Sequence, residues 1–361
     1  MKILYITFID FSKDSSGSTV RPHMMYQAFL DLGLEVKLLE GQQNKRQERK
    51  QKVKEILQWL KTNRPDICYV ETPSGPFFNS IDLKLLKTVK KMKVPIGLFY
   101  RDAYWKFRDL FPMPLWKSVA LYFMHKRDLK LFSKVCDYLY FPSSSFAKLF
   151  DNYKFKNVKN LYPGGVDKIF AQNNFNKKCF FYVGGTSKRY GGLKLIKVFE
   201  KINENEIVAN LIFISQETAD FSRYNYNYPW LEIIHTFDRQ LIEEKYCKAT
   251  YAMIPFEIDE YSNLTMPLKL FEYLGYGVPV LSTNCQEISK FVNENECGLI
   301  CDDSVDALID IINNGMDSEE KYLEYKKNAI NVGNINRWID RAETVVKDLQ
   351  GANFENITWY D

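Results

Sequence analysis

A chain of 361 residues, 46% hydrophobic and 26% charged, suits a globular protein of about two domains. This composition excludes a disordered regulator, a collagen-like fibre and a disulfide-stapled miniprotein. The net charge of +4 joins unlike parts. Residues 1–170 hold 30 Lys and Arg against 16 Asp and Glu, a net +14, and the remainder holds 19 against 29, a net −10. Such a split points to two domains with different partners.

Short apolar strands alternate with amphipathic helices along the whole chain. In the first half strands are expected at Lys2–Phe8, Glu35–Leu39, Ile67–Val70, Pro95–Phe99, Tyr138–Phe141 and Val158–Leu161. Helical patterns lie near 20–32, 46–63, 79–92, 115–135 and 143–150. The strands are continuous β-branched and aromatic runs, as in a parallel sheet covered on both faces. A polar, Asn-rich stretch, Asp167–Lys178, reads as a linker. The pattern then restarts with Cys179–Val183, Ala209–Ile214, Leu231–Ile234, Tyr251–Ile254, Val280–Ser282 and Gly298–Ile300. The fold class is therefore α/β, two Rossmann-like doubly wound domains in series. A last helix near 335–350, with Trp338 and Val345 on one face, is expected to cross back to the first domain. The expected division is 1–170 with 335–361, and 171–334.

The apolar opening run Met1–Ile9 is broken by Asp10 and reads as a buried strand rather than a signal peptide. No stretch approaches 18 apolar residues, so no membrane span is expected. The seven cysteines are scattered without Cys-x-x-Cys, which fits a reduced cytosolic compartment. His23, His125 and His235 lie about a hundred residues apart, so no His/Cys zinc pattern exists.

Ligands of such sheets bind beyond the carboxyl ends of the strands. The most informative loop leads into Asn263–Thr283 (NLTMPLKLFEYLGYGVPVLST): a loop, a helix starting near Pro267, a stop at Gly275-Tyr-Gly277, then a buried strand. A helix N-terminus entered from a small polar loop offers amides to a phosphate, and Glu272 could accept two ribose hydroxyls. A plain loop-capped helix with an exposed Glu fits the same residues. Gly184-Gly-Thr-Ser-Lys-Arg-Tyr-Gly-Gly192 follows a strand. Its glycines admit a bulky anion, and Lys188 or Arg189 could neutralise a diphosphate, or the stretch is a turn with solvated cations.

In the first domain, Asp14-Ser-Ser-Gly-Ser-Thr19 joins the first strand to a helix. An N-cap through Ser18 or Thr19 fits as well as an anion loop. Arg21 follows, directed towards an acceptor or solvent. Tyr100-Arg101-Asp102-Ala-Tyr104-Trp105 ends the fourth strand. There the aromatics could stack on sugar rings while Arg101 and Asp102 bond hydroxyls, or Arg and Asp could form a supporting pair. Basic residues concentrate in Lys45–Arg64 and Lys106–Lys134. The latter carries Trp116, Tyr122, Phe123 and Phe132 on a helical pattern that suits either an anionic membrane surface or an ordinary solvated helix.

The run Pro267-Leu-Lys-Leu-Phe-Glu272-Tyr-Leu-Gly-Tyr-Gly277-Val-Pro-Val280 resembles the donor-site signature of the family-4 (group 1) retaining glycosyltransferases of GT-B fold. Ser143–Ser145, Gly165–Asp167, Tyr182–Gly185, Glu287-Ile288 and Gly298–Ile300 agree in order. The resemblance implies two domains facing each other across a cleft. It also implies that Glu272 binds the donor ribose and that Asn263, Leu264, Thr265 and Met266 present amides to the pyrophosphate and sugar. Gly184, Gly185, Lys188, Arg189 and Lys269 would complete the donor site, with Gly17 approaching from the other wall and His235 near the base. Ser16, Ser18, Arg21, Tyr104 and Trp105 are then assigned to the acceptor, and Asp102 with Arg101 to catalysis.

Two places depart from the family pattern. The place of the acid usual eight residues before Glu272 is taken by Leu264, for which Glu257 or Glu260 could substitute, and the places of the usual loop cations are taken by Gly185 and Tyr190, the charge standing instead at Lys188 and Arg189. The function expected is transfer of a sugar from a nucleotide-diphosphate sugar, most simply a UDP-sugar, to a hydroxyl of a glycan or lipid-linked acceptor in cell-surface polysaccharide or glycoconjugate synthesis. No cofactor is expected. The chain has no Asp-x-Asp, so no metal is expected either. The expected setting is cytoplasmic, with peripheral contact to anionic membrane and no nucleic acid. An inactive GT-B paralogue that partners an active transferase is the alternative.

Overall fold

A computed structural model describes residues 1–11, 17–170, 172–215, 227–236, 238–315 and 318–355. The chain forms two compact units, Met1–Tyr162 with Trp338–Asp361, and Pro163–Arg337.

The first unit is a six-stranded sheet in the order β2-β1-β3-β4-β5-β6. Its strands are β1 (Lys2–Ile6), β2 (Glu35–Leu39), β3 (Ile67–Glu71), β4 (Ile96–Phe99), β5 (Tyr138–Phe141) and β6 (Val158–Asn160). Every pair is parallel, and Ile3 lies in register with Val36 on one side and Ile67 on the other. The strands are apolar on both faces because helices flank them: α1 (Gly17–Asp31), α2 (Arg46–Trp59), α3 (Ser80–Lys91), α4 (Leu115–Val135) and the short α5 (Ser144–Lys148). The last helix, α12 (Trp338–Glu355), packs against α1 and over β3 and β4. It buries Ala342, Val345, Leu349 and Ala352. It comes so close that a Cβ on Gly97 would lie 3.2 Å from Leu349.

The second unit has the order β12-β11-β10-β7-β8-β9, again all parallel. It comprises β7 (Cys179–Val183), α6 (Gly192–Ile202), β8 (Asn210–Ile214), β9 (Leu231–Ile234), α7 (Arg239–Tyr246) and β10 (Tyr251–Ile254). It continues with α8 (Leu268–Gly275), β11 (Val280–Thr283), α9 (Gln286–Glu294), β12 (Gly298–Cys301), α10 (Val305–Asn314) and α11 (Glu319–Asn334). Counted within the unit the order is 3-2-1-4-5-6, the doubly wound dinucleotide-type arrangement, and the strand order reverses between β7 and β10. Its core includes Phe180, Tyr182, Leu195, Phe199, Phe213 and Trp230.

All twelve expected strands form. Asp167–Lys178, however, is not a linker. Asn174 is buried and its side-chain amide donates to the carbonyls of Cys247 (2.7 Å) and Ala249 (3.1 Å), while Phe170 stacks on Tyr276. A polar Asn-rich stretch is thus consumed in satisfying buried carbonyls. The chain passes between units earlier, at Tyr162–Pro163, and again at Arg337–Trp338. Gly165 pairs with Arg337 in a parallel bridge, and its amide donates to the carbonyl of Asn336 at 2.7 Å.

Candidate active site

The reversal between β7 and β10 opens a crevice at their carboxyl ends. Two loops line it: Gly184–Gly191 after β7, and Pro255–Pro267 after β10. The first holds a 3-10 turn at Lys188–Tyr190 and ends on Gly191, whose φ of +68° suits glycine. A Cβ there would lie 1.8 Å from the carbonyl oxygen of Pro255, so this glycine lets the two loops touch. The amide of Glu257 donates to the carbonyl of Arg189 at 3.0 Å, and Arg189 lies 3.6 Å from Asp259 and over the ring of Tyr261.

At the centre of the crevice is Lys269, in the first turn of α8. Its amine lies 4.5 Å from the ring of Tyr182, 5.4 Å from Phe256 and 5.8 Å from Tyr190. It is shielded from solvent and has no hydrogen-bond partner among the described residues. A Cβ on Gly184 would stand 2.6 Å from it and 2.8 Å from the Tyr182 hydroxyl, so a larger residue there would displace the amine. Burial pushes its pKa down to about 7, opposed by nearby Glu272. Glu272, one helical turn on, is half-buried. Burial raises its carboxyl pKa, Arg239 and Lys269 lower it, and Glu243 raises it again. A carboxylate and an amine are thus placed side by side in low dielectric without bonding each other, an arrangement suited to a ligand carrying hydroxyls and negative charge.

The amides are distributed differently from the sequence expectation. Those of Asn263, Leu264 and Thr265 donate to the carbonyls of Asp259, Tyr261 and Ser262 within a 3-10 turn, and the amide of Gly184 extends the sheet to Ile214. They are therefore not available to a phosphate. Short-range turn bonds outcompete the open-loop conformation there. Among the described residues, the amides of Gly185, Met266 and Lys269 have no backbone acceptor, while that of Leu270 donates to the Pro267 carbonyl at 3.2 Å. Asn263 instead caps α9 by accepting from the amide of Gln286, and the Thr265 hydroxyl donates to the Ser262 carbonyl. Of the candidate acids, Glu257 is paired with Lys194 at 3.1 Å, whereas Glu260 is exposed. Lys188 is exposed, so of the two loop cations it is the one not turned towards Asp259. His235 ends the edge strand β9, two strands from β7, with its Nδ1 3.3 Å from the Ser215 carbonyl.

In the first unit, Ser16 lies outside the described residues, and Gly17 and Ser18 open α1. Arg21 does not face solvent or an acceptor. It is buried, 3.0 Å from Glu71, over the ring of Phe99, and it donates to the carbonyls of Leu161 and Tyr162. A guanidinium entering a covered sheet face must meet a carboxylate, and Glu71 at the end of β3 supplies it. Trp105 is likewise structural. Its indole N–H donates to the Tyr100 hydroxyl at 3.1 Å, its ring stacks on His125 at 4.8 Å, and the side chain is buried, so it offers no open face to a sugar. Tyr104 packs edge-on against Phe111. Asp102 accepts from the Ser74 hydroxyl at 2.6 Å and lies 3.5 Å from Arg101, whose amide donates to Thr72. These two side chains stay partly accessible at the carboxyl ends of β3 and β4.

Residues 166–332 match the profile described as Glycosyl transferases group 1. The second unit is a group 1 glycosyltransferase domain. The match spans nearly all of the second unit and 46% of the chain. No curated protein matches in sequence. Among solved structures, sucrose-phosphate synthase from Thermosynechococcus elongatus aligns over 99% of this chain and 100% of its own, with a TM-score of 0.70 and 12% identity. A glycosyltransferase from Rickettsia africae covers 97% and 98% (TM-score 0.66, 12% identity). The UDP-forming trehalose-phosphate synthase from Burkholderia xenovorans covers 96% and 100% (TM-score 0.59, 11% identity). These likenesses establish the GT-B fold of the chain. Sequence reasoning missed the cage of Tyr182, Tyr190 and Phe256 and the charges of Arg239 and Glu243. The only signal was that Tyr190 occupies the place of a family cation.

Proposed function

We propose that the enzyme transfers a hexose from a UDP-sugar to a hydroxyl of a glycan or lipid-linked oligosaccharide, with retention and without a metal ion, in cytoplasmic glycoconjugate or surface-polysaccharide assembly. The observation that carries the donor assignment is the Lys269–Glu272 pair at the crevice where the strand order reverses. Glu272 accepts the ribose hydroxyls. The leaving diphosphate takes the electron pair of the anomeric C–O bond as it breaks, and Lys269, Lys188 and the free amides at the entry to α8 stabilise that charge. The acceptor oxygen bonds to the anomeric carbon and its proton passes to the leaving phosphate. Asp102 and Arg101 orient the acceptor hydroxyl. UDP is the first nucleotide to try because a trehalose-phosphate synthase of the same fold is UDP-forming.

Titration of the whole protein with UDP-, GDP- and dTDP-sugars tests this. Binding of one of them, weakened by Glu272→Ala, is expected, and no binding to any by the folded protein would sink it. The apolar Leu264 and the internally bonded amides of 263–265 favour a second reading, a donor-binding protein without turnover. Nucleotide release during incubation separates the two.

A further inference from the structure

Helix α4 of the first unit has two unlike faces. Inwards it buries His125, Leu129 and Phe132. Outwards it exposes Leu115 (63%), Trp116 (75%), Val119 (45%), Tyr122 (42%) and Phe123 (64%). Their spacing, i, i+1, i+4, i+7 and i+8, forms one stripe about 12 Å long. Along the same outer face the next turns carry exposed Lys126 and Lys130. Every exposed charge of the helix is positive. Its one acid, Asp128, is buried, where it accepts from the amide of Phe77 and pairs with Arg127. An exposed apolar patch of this size marks a contact surface. Two copies meeting through it would oppose like charges.

We infer that the outer face of α4 docks on an anionic lipid bilayer, with Leu115, Trp116, Val119 and Phe123 entering the boundary between headgroups and acyl chains and the lysines meeting lipid phosphates. Large rings beside cations, on a helix too polar to span, are the composition of a helix that lies in the interface. The inference concerns a surface apart from the donor crevice and does not depend on which sugar is moved.

The test is co-sedimentation of the full chain with phosphatidylcholine vesicles, with and without phosphatidylglycerol. Binding is expected only with the anionic lipid and should weaken as salt rises. The double substitution Trp116→Ser, Phe123→Ser should lower it by at least about tenfold. Lys126→Glu with Lys130→Glu should lower it by about fivefold per lysine. Because these side chains are exposed, both variants should melt like the parent, which a circular dichroism scan verifies. Absence of binding at low salt, or equal binding by the aromatic double variant, would overturn the inference. So would gel filtration showing a dimer that this variant dissolves, since the face would then belong to a second copy. No sugar donor enters the assay, so its failure leaves the transferase reading intact.

Discussion

Lys269 is the residue on which donor binding should show its chemistry. With a pKa of about 7 its amine is largely neutral at pH 8 in the free protein. A diphosphate beside it favours the ammonium, so binding at pH 8 should take up about one proton per nucleotide, and affinity should fall as pH rises through 7. Calorimetric titration in two buffers of different ionisation enthalpy measures the uptake, and Lys269→Met should remove it. Glu272→Gln should cost about 3 kcal/mol of donor affinity, roughly a hundredfold in Kd, by losing charge-assisted hydrogen bonds. Arg21 makes the opposite case. Arg21→Ala leaves Glu71 buried and unpaired and should cost about 3–5 kcal/mol of stability, most of which Arg21→Met with Glu71→Leu should restore. A normal melting curve for Arg21→Ala together with a raised acceptor KM would return this residue to the acceptor site. The sequence could not separate the two cases. Both are cations near the starts of helices, and their fates depend on partners 50 residues away for Arg21 and on three rings from three segments for Lys269.

At the scale of elements, α8 is positioned by close backbone contacts. A Cβ on Gly275 would lie 2.5 Å from the carbonyl oxygen of Val166, one on Gly165 2.3 Å from that of Phe271, and one on Gly333 2.3 Å from that of Leu274. The helix bearing Lys269 and Glu272 is therefore held between the segment around Gly165 and helix α11 without side chains to cushion it. Gly275→Ala should cost about 1–3 kcal/mol and lower the melting midpoint by about 5 °C, as scanning calorimetry would show. The motif Gly275-Tyr-Gly277 was legible as a helix stop. Its second duty at Gly275 was not, because the backbones it admits come from distant parts of the chain. Strands were the most legible elements: Ile67–Val70 and Val280–Ser282 are apolar on both faces and read as such. The stretch around Asn174 was the least legible, since a polar composition suggests solvent and gives no sign of buried carbonyls awaiting donors.

Across the whole molecule, two units with separate cores should respond to separate perturbations. Leu349→Ala hollows the packing of α12 on the first unit and should cost about 2–5 kcal/mol there. A nucleotide at a hundred times its Kd should add about 2.7 kcal/mol to the second unit. Calorimetry of the full chain should resolve these as shifts of different transitions, and a single transition moved equally by both would show that the units unfold as one. Part of the basic excess of the first part, visible in the sequence, lies on α4, whose exposed charges are all positive.

The return of α12 to the first unit sets an order of assembly. During synthesis β1 to β6 leave the ribosome first, yet Gly97 and the apolar surface over β3 and β4 must wait for Leu349, with the whole of the second unit made in between. The second unit is continuous and can close as soon as Arg337 has emerged. Of the two units, the one translated earlier is thus finished later. Until then the apolar surface over β3 and β4 that α12 covers stays open on the nascent chain.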